Sequence, residues 1–345
     1  MNSECLFAGS NARGVLATAA IAILAACSTT SSPLVTVTSL TSQTSQTRIH
    51  ANTASCPSAV AYVVDDYAAS VQVYDRANLK AGPCGTIGAF QLPQGLFADS
   101  KGNLWVADAT AQEIYEFAPG NAAPIQTLND PYGVPVAIAI DEKSGTIYVT
   151  EYKNNFDSTT LVEVYASGST VPTSALSDPE ARNGGFDAVD NHGNLYVSFM
   201  TTSNKAQIDR WMGGTGTPEN LGLVLVGAGG IVTTRSGALA VCDPYSYQCG
   251  TFAPGSKKMS HIFGHMGRRR RGGLGPDKPP WLVPFALALD RDERRAYVGS
   301  EGLTQWRYPG PAHRPNHRPL VEIDTAGLSS MGIATSPASR PGAPF

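Results

Sequence analysis

Six positions frame the chemistry this chain could do. Asp65, Asp108, Glu151, Phe199, Asp243 and Ser300 fall 43 to 57 residues apart, each two residues beyond the valine of a short apolar run, and four of the six are acidic. If those runs are corresponding strands of a closed ring, Asp65, Asp108, Glu151 and Asp243 gather at one mouth of it. Carboxylates gathered in that way could hold a cation, with calcium the candidate ion, or a cationic ligand. The competing reading is local, because a carboxylate at a strand end also accepts backbone N–H bonds and closes its own turn. Different members of the set can take different roles.

The remaining chemistry-bearing residues are dispersed. Arg268, Arg269, Arg270 and Arg271 form a basic run inside a Gly- and Pro-rich insert, and their charge suits anionic lipid head groups, a polysaccharide, a partner protein or the acidic mouth itself. The alternative is a mobile, solvated loop. His261 and His265 are four apart but have no third ligand nearby, and His313 and His317 lie in a Pro-rich basic loop. His192 falls in a polar turn and is expected to face solvent. The chain has no Gly-x-Ser-x-Gly elbow, phosphate loop or dinucleotide fingerprint. No catalytic residue and no complete metal-ligand set is therefore assigned. A net charge of −3 gives no general argument for nucleic acid.

The elements that position these residues are short strands. Gly95-Leu96-Phe97-Ala98 is an apolar run ending in the turn Asp99 to Asn103, and Leu104-Trp105-Val106-Ala107 follows it. A third run, Glu113 to Phe117, stops at Ala118-Pro119-Gly120. Aromatic and β-branched residues between Gly, Asn, Asp and Pro are strand signals, and 35 Gly and 24 Pro in 345 residues suit many turns. The unit repeats. Asp99, Asp141, Asp190, Thr234, Asp290 and Ser336 align with spacings of 42, 49, 44, 56 and 46, a period that marks propeller blades.

Five copies are complete, and the sixth has its first strand at Gly332 to Ser336 with no chain left for a second. Ala61 to Asp65 and Val71 to Tyr74 supply the missing second and third strands from the other end of the sequence. The expected fold is all-β, a six-bladed β-propeller closed by a blade shared between the two ends, which leaves no blade without a neighbour. Tyr74, Phe117, Tyr165, Trp211, Phe252 and Tyr308 occupy one aligned third-strand position and are expected between blades.

On these residues the chain resembles the NHL-repeat family. Pro93-Gln94-Gly95, Asp99 and Gly102-Asn103-Leu104-Trp105-Val106-Ala107-Asp108 carry the likeness, which spans roughly residues 58 to 345. It implies a propeller and leaves function open, since related propellers include binding scaffolds, lactonases and lyases. The calcium-binding and histidine sets of those enzymes are not matched here. The expected function is a ligand- or protein-binding scaffold, with a small-molecule, glycan or protein partner, acting as a monomer. The alternative is a metal-dependent lactonase- or lyase-like enzyme using the acidic ring.

Four cysteines fall in the repeats, and the blade arrangement pairs Cys56 with Cys84 and Cys242 with Cys249, as disulfides of an exported domain. The first pair is expected to staple the ring closure. Upstream, an apolar stretch from Gly14 to Ala26 behind Arg13 reads as a signal peptide. Its end, Leu24-Ala25-Ala26-Cys27, resembles the lipobox of bacterial lipoproteins, which implies a lipidated Cys27 and a membrane anchor. Ser28 after it resembles the outer-membrane pattern of Gram-negative lipoproteins. From 28 to 55, fifteen residues are Ser or Thr, too little apolar surface to order a chain. The expected organisation is a signal peptide at 1–26, a tether at 27–55 and the propeller at 56–345.

Overall fold

The computed structural model describes residues 49–121, 123–152, 160–264, 283–300, 302–310, 319–324 and 332–336. Cys27, the signal, most of the tether, Arg268 to Arg271, His265, His313 and His317 lie outside them. The described chain falls into six antiparallel sheets. Blade 1 takes β1 (His50–Asn52), β2 (Val60–Asp65), β3 (Ser70–Asp75) and β4 (Pro83–Gly88) from the N-terminal side. Blade 2 is β5 (Pro93–Ala98), β6 (Leu104–Asp108), β7 (Glu113–Phe117) and β8 (Gln126–Asn129). Blade 3 is β9 (Pro135–Asp141), β10 (Thr146–Glu151), β11 (Thr160–Tyr165) and β12 (Ser174–Ser177). Blade 4 is β13 (Ala181–Val189), β14 (Leu195–Thr201), β15 (Ala206–Trp211) and β16 (Glu219–Asn220). Blade 5 is β17 (Ile231–Thr233), β18 (Leu239–Asp243), β19 (Gln248–Phe252) and β20 (Ser260–Phe263). Blade 6 is β21 (Ala286–Leu289), β22 (Arg295–Gly299), β23 (Gly302–Arg307) and β24 (Val321–Asp324), and β25 (Ile333–Ser336) returns to blade 1.

The closure is the one the repeats call for. β25 pairs with β2, Val60 opposite Ser336 and Val63 opposite Ile333, and the Val64 N–H donates to the Gly332 carbonyl at 3.0 Å. The innermost strands pack in a circle, β5 on β9, β9 on β13, β13 on β17, β17 on β21, β21 on β25 and β25 on β5. The turns at Asp99 and Asp190 show why an acid recurs there. Asp99 Oδ1 accepts from the Lys101 and Asn103 amides, and Asp190 Oδ1 from those of His192 and Asn194. His192 is exposed on this turn.

Each hydrophobic core is shared between two neighbouring blades. The third-strand aromatic position supplies one member to each: Tyr74, Phe117, Tyr165, Trp211, Phe252 and, in blade 6, Trp306. Here the structure corrects the sequence alignment. Trp306 lies opposite Ala296, as Phe117 lies opposite Leu104, whereas Tyr308 falls beyond the strand and packs edge-on against Phe263. The link from β22 to β23 is only two residues long, so the aligned aromatic comes ten residues after Ala296, where Phe117 comes thirteen after Leu104.

Both disulfides form as paired from the sequence, Cys56–Cys84 and Cys242–Cys249. The first does not cross the seam between the chain ends, because β1 to β4 all come from the N-terminal side. It secures the outer edge of blade 1 instead, and closing its 28-residue separation contributes about 3–4 kcal/mol. β1 itself lies inside the stretch expected to be tether. It pairs His50 to Asn52 with Gly88 to Thr86, and Ile49 and Ala51 pack on the core between blades 1 and 2. Three residues with one apolar side chain between His and Asn give no periodic signal.

The inner strands approach so closely that some positions exclude a side chain. A Cβ on Gly95 would stand 2.7 Å from the Ala137 Cα and 2.8 Å from the Val136 oxygen, and one on Gly230 would stand 2.6 Å from the Leu287 nitrogen. All of those neighbours are backbone of the next blade, which cannot swing aside as a side chain can. Gly95→Ala is expected to cost about 1–3 kcal/mol, read as a lower midpoint in reversible denaturation. An unchanged midpoint would mean that the blades can separate locally.

Candidate functional site

In every blade the second strand ends, and the next blade's first strand begins, on the same face of the ring. The sequence-predicted acids meet there with two different fates. Asp108 accepts from the Gln91, Leu92 and Ala111 amides at 2.7, 2.8 and 3.2 Å. Asp243 accepts from the Val226, Gly227 and Ser246 amides at 2.9, 2.8 and 3.1 Å, and from the Ser246 hydroxyl at 2.8 Å. Each therefore ties the segment that enters its blade to the loop that leaves the second strand. Asp65 accepts from the Ala68 amide at 2.9 Å, closing its own turn. Phe199 is buried in the core between blades 3 and 4, and Ser300 is buried.

Glu151 is different. Its side chain turns beneath the loops, where it meets Asp130, just past the end of β8, and Glu163, in the middle of β11. All three are buried, and an oxygen of each lies within 4.8 Å of those of the other two. Both oxygens of Asp130, both of Glu151 and Oε2 of Glu163 are enclosed without a hydrogen-bond partner. Gly133 makes room for the cluster, since a Cβ there would overlap the Glu151 carboxylate. Among the described residues the ion pairs are Arg76 with Asp290 and Arg210 with Glu219, both away from this cluster.

Burial pushes all three carboxyl groups toward the protonated form, repulsion adds to it for Glu151 and Glu163, and the neighbouring carboxyls of Glu151 and Glu163 partly offset it for Asp130. Desolvation is the largest cause in each case. The charge of Asp130 adds to it for Glu151, which is held well above the usual carboxylate range, and for Glu163, which is raised to about 8. Nearby amides of Tyr132, Gly133 and Val134 pull the other way without forming hydrogen bonds of normal geometry. The Tyr165 hydroxyl donates to the Asn129 carbonyl at 3.1 Å, and desolvation and the three acids raise its pKa. Sequence reasoning found Glu151 and missed the other two. Glu163 carried a signal, a charge two residues from the core aromatic Tyr165 on the same face of a strand. Asp130, in Asn-Asp-Pro, reads only as a turn.

A cavity of about 50 Å³ is lined by all six innermost strands, with Gly95, Ile138, Asp187, Ile231, Leu287 and Ile333 among its walls. That space suits a few waters. Asp187 Oδ2 accepts from the Thr150 hydroxyl of blade 3 at 2.8 Å. Desolvation raises its pKa to about 7. The residue is nevertheless partly open to the cavity, so solvent there moderates the energetic consequence.

The loops of the same face carry four exposed aromatic rings. Tyr67, Tyr132, Tyr152 and Tyr245 are 81%, 72%, 44% and 60% exposed. The first, third and fourth follow second strands, and Tyr132 leads into a first strand. The other described tyrosines are buried or half-buried.

No family model matches the chain. Among solved structures it is similar to a chain of a nidogen/laminin complex, with a TM-score of 0.58 and 14% identity over 83% of this chain and 98% of that one. The fold is a six-bladed β-propeller. More distant similarity extends to the calcium-binding protein regucalcin of Agrobacterium tumefaciens, TM-score 0.49, with 12% identity over 71% of this chain and 78% of that one. Hydrazine synthase of Kuenenia stuttgartiensis also has a TM-score of 0.49, with 13% identity over 71% and 72%.

Asp187 gives this region a pH dependence of definite sign. Its folded-state pKa of about 7 lies above the ~3.9 of an unfolded aspartate, so the folded chain keeps a proton that the unfolded chain releases. This group's contribution to stability is full below pH ~4 and is lost as the pH rises to about 7. Asp187→Asn removes that loss. The variant should exceed the parent by about 1–2 kcal/mol at pH 8, after allowance for cavity water, and by less at pH 5. Thermal denaturation at the two values checks this, and a gap independent of pH would contradict it.

Proposed function

We propose that the chain is an exported, envelope-tethered propeller that binds a protein or glycan ligand through the loop face bearing Tyr67, Tyr132, Tyr152 and Tyr245. The observation carrying this reading is that those four tyrosines are exposed on one face. Tyrosine offers a large contact area with few torsions to freeze and a hydroxyl at its tip, which is why it is enriched where proteins bind partners. The acid-tied loops that carry Tyr67 and Tyr245 limit the ordering cost of binding. The small axial cavity favours surface binding over the turnover of a small molecule in the channel, since ligand pockets are several times larger.

The two disulfides suit an oxidising, extracytoplasmic setting. The lipobox-like Leu24 to Cys27 and the Ser/Thr-rich stretch after it support a lipid-anchored domain, and the blade signature supports an NHL-like member of the propeller group. The basic run Arg268 to Arg271, between β20 and β21 in sequence, supports an anionic partner.

Two experiments test this reading. Cys27→Ser should move the chain from the membrane fraction to the soluble one, and a variant still retained in the membrane would remove the lipid anchor from the proposal. For binding, the probes are a bacterial envelope extract and a panel of cell-wall glycans. Replacing the four tyrosines by Ser should weaken retention of a captured ligand at least about tenfold, a loss of roughly 1.4 kcal/mol. Serine at Ile125, Val171 and Leu320, exposed on loops of the opposite face, should leave retention intact. The reverse pattern would assign binding to the other face.

A further inference from the structure

We infer that Asp130, Glu151 and Glu163 form a calcium site at the seam between blades 2 and 3, separate from the axial cavity and from the turn-closing acids. Three carboxylates supply hard oxygen donors only, the ligand type of calcium and magnesium. Donor oxygens on opposite sides of a calcium ion are separated by about twice its 2.3–2.6 Å bond length, and the three groups present oxygens within 4.8 Å of one another. A magnesium ion would draw the donors closer and would retain several waters, which this enclosed position accommodates less well.

A cluster of acids alone would not carry this inference. The second observation is that Asp130 and Glu151 are 0% and 2% exposed, and all four of their carboxylate oxygens lack partners. Buried polar atoms are rarely left in that state, because each forgoes its hydration without a replacement. Glu163, 1% exposed, turns a third carboxylate to the same point from an adjacent strand. The Asp108 and Asp243 carboxylates, at equivalent strand ends in blades 2 and 5, are satisfied by loop amides. Of the four acids at this strand end, Asp65, Asp108 and Asp243 accept loop amides, whereas both oxygens of Glu151 are left without a partner.

The ion would join two blades. Asp130 belongs to the strand-end loop of blade 2, and Glu151 and Glu163 belong to blade 3. It would also fix the backbone beneath two exposed rings, since Tyr132 is two residues from Asp130 and Tyr152 adjoins Glu151. The site does not depend on those rings binding anything, so it stands or falls independently of the ligand-binding proposal.

The test uses the full disulfide-bonded chain, purified in detergent and stripped with EGTA. Calorimetric titration with calcium should give about one ion per chain with a dissociation constant below ~1 mM. A millimolar excess should raise the thermal midpoint by a few degrees, as expected when a ligand binds only the folded chain. Glu163→Gln should weaken binding at least about 50-fold. The same variant should melt at or above the parent temperature in EGTA, because one of three repelling carboxylates is gone, and below the parent in calcium. That crossing separates loss of the ion from general damage. As a check without mutation, terbium should bind the parent, emit when tyrosine is excited and be displaced by calcium. Failure of calcium, magnesium and manganese to bind or stabilise the parent would overturn the inference and leave the three carboxyls sharing protons. Undiminished binding in both Glu163→Gln and Glu151→Gln would also overturn it, by placing the ion elsewhere.

Discussion

No blade of this protein owns a hydrophobic core. Each of the six apolar clusters is built from the facing sides of two successive blades, so a four-stranded sheet on its own would leave both faces in water. An isolated blade is therefore incomplete, and so is an open row of blades, whose first and last members would each lack a neighbour. The constraint makes the β2–β25 ladder as important as any core residue. That ladder joins the two distant ends of the folded chain and completes both clusters that flank blade 1.

The same constraint explains where polar side chains are used. Connections on both faces must be fixed without much apolar burial, and the chain does so with carboxylates that accept two or more amides each. Asp99 and Asp190 serve the turns on one face, and Asp108 and Asp243 serve the loops on the other. An ionised carboxylate surrounded by N–H donors is compensated for its partial burial. Glu151 occupies the matching position in blade 3 but meets two other acids instead of a set of amides, so the device that stabilises blades 2 and 5 is absent there. Electrostatics alone would drive those three groups apart or neutralise them.

Periodicity made the ring legible, because a unit of strands and turns repeated every 42 to 56 residues leaves aligned aromatics and aligned acids. Lateral relations between blades left weaker traces. Trp306 hid behind Tyr308 because the connection between the second and third strands of blade 6 is shorter than a uniform unit predicts. β1 hid because a strand of three residues has no period. Gly95 reads as the start of an apolar run, and only the adjacent backbone shows that it is needed for close approach. Asp130 and Glu163 lie 33 positions apart in different blades, so their meeting is a property of the packed ring. A charged residue alternating with a core aromatic, as Glu163 does with Tyr165, is the one feature of that cluster written locally.

The arrangement links the interior of the seam to the surface above it. Tyr132 and Tyr152 project from backbone whose course is set by Gly133 on one side and by the Tyr152 amide, which donates to the Val134 carbonyl at 2.9 Å, on the other. Gln112 reaches across from blade 2 to the Gly133 carbonyl at 2.7 Å. These contacts hold the two loops to each other and to the preceding blade at the point where the acids lie underneath. A change in charge or occupancy at the acids would therefore be felt first by the two loops that present those rings, because the rest of the seam is apolar and already packed. Tyr67 and Tyr245 sit on loops of other blades, closed by Asp65 and Asp243. A four-tyrosine face would thus have two members set by local turns and two set by the chemistry of one blade seam.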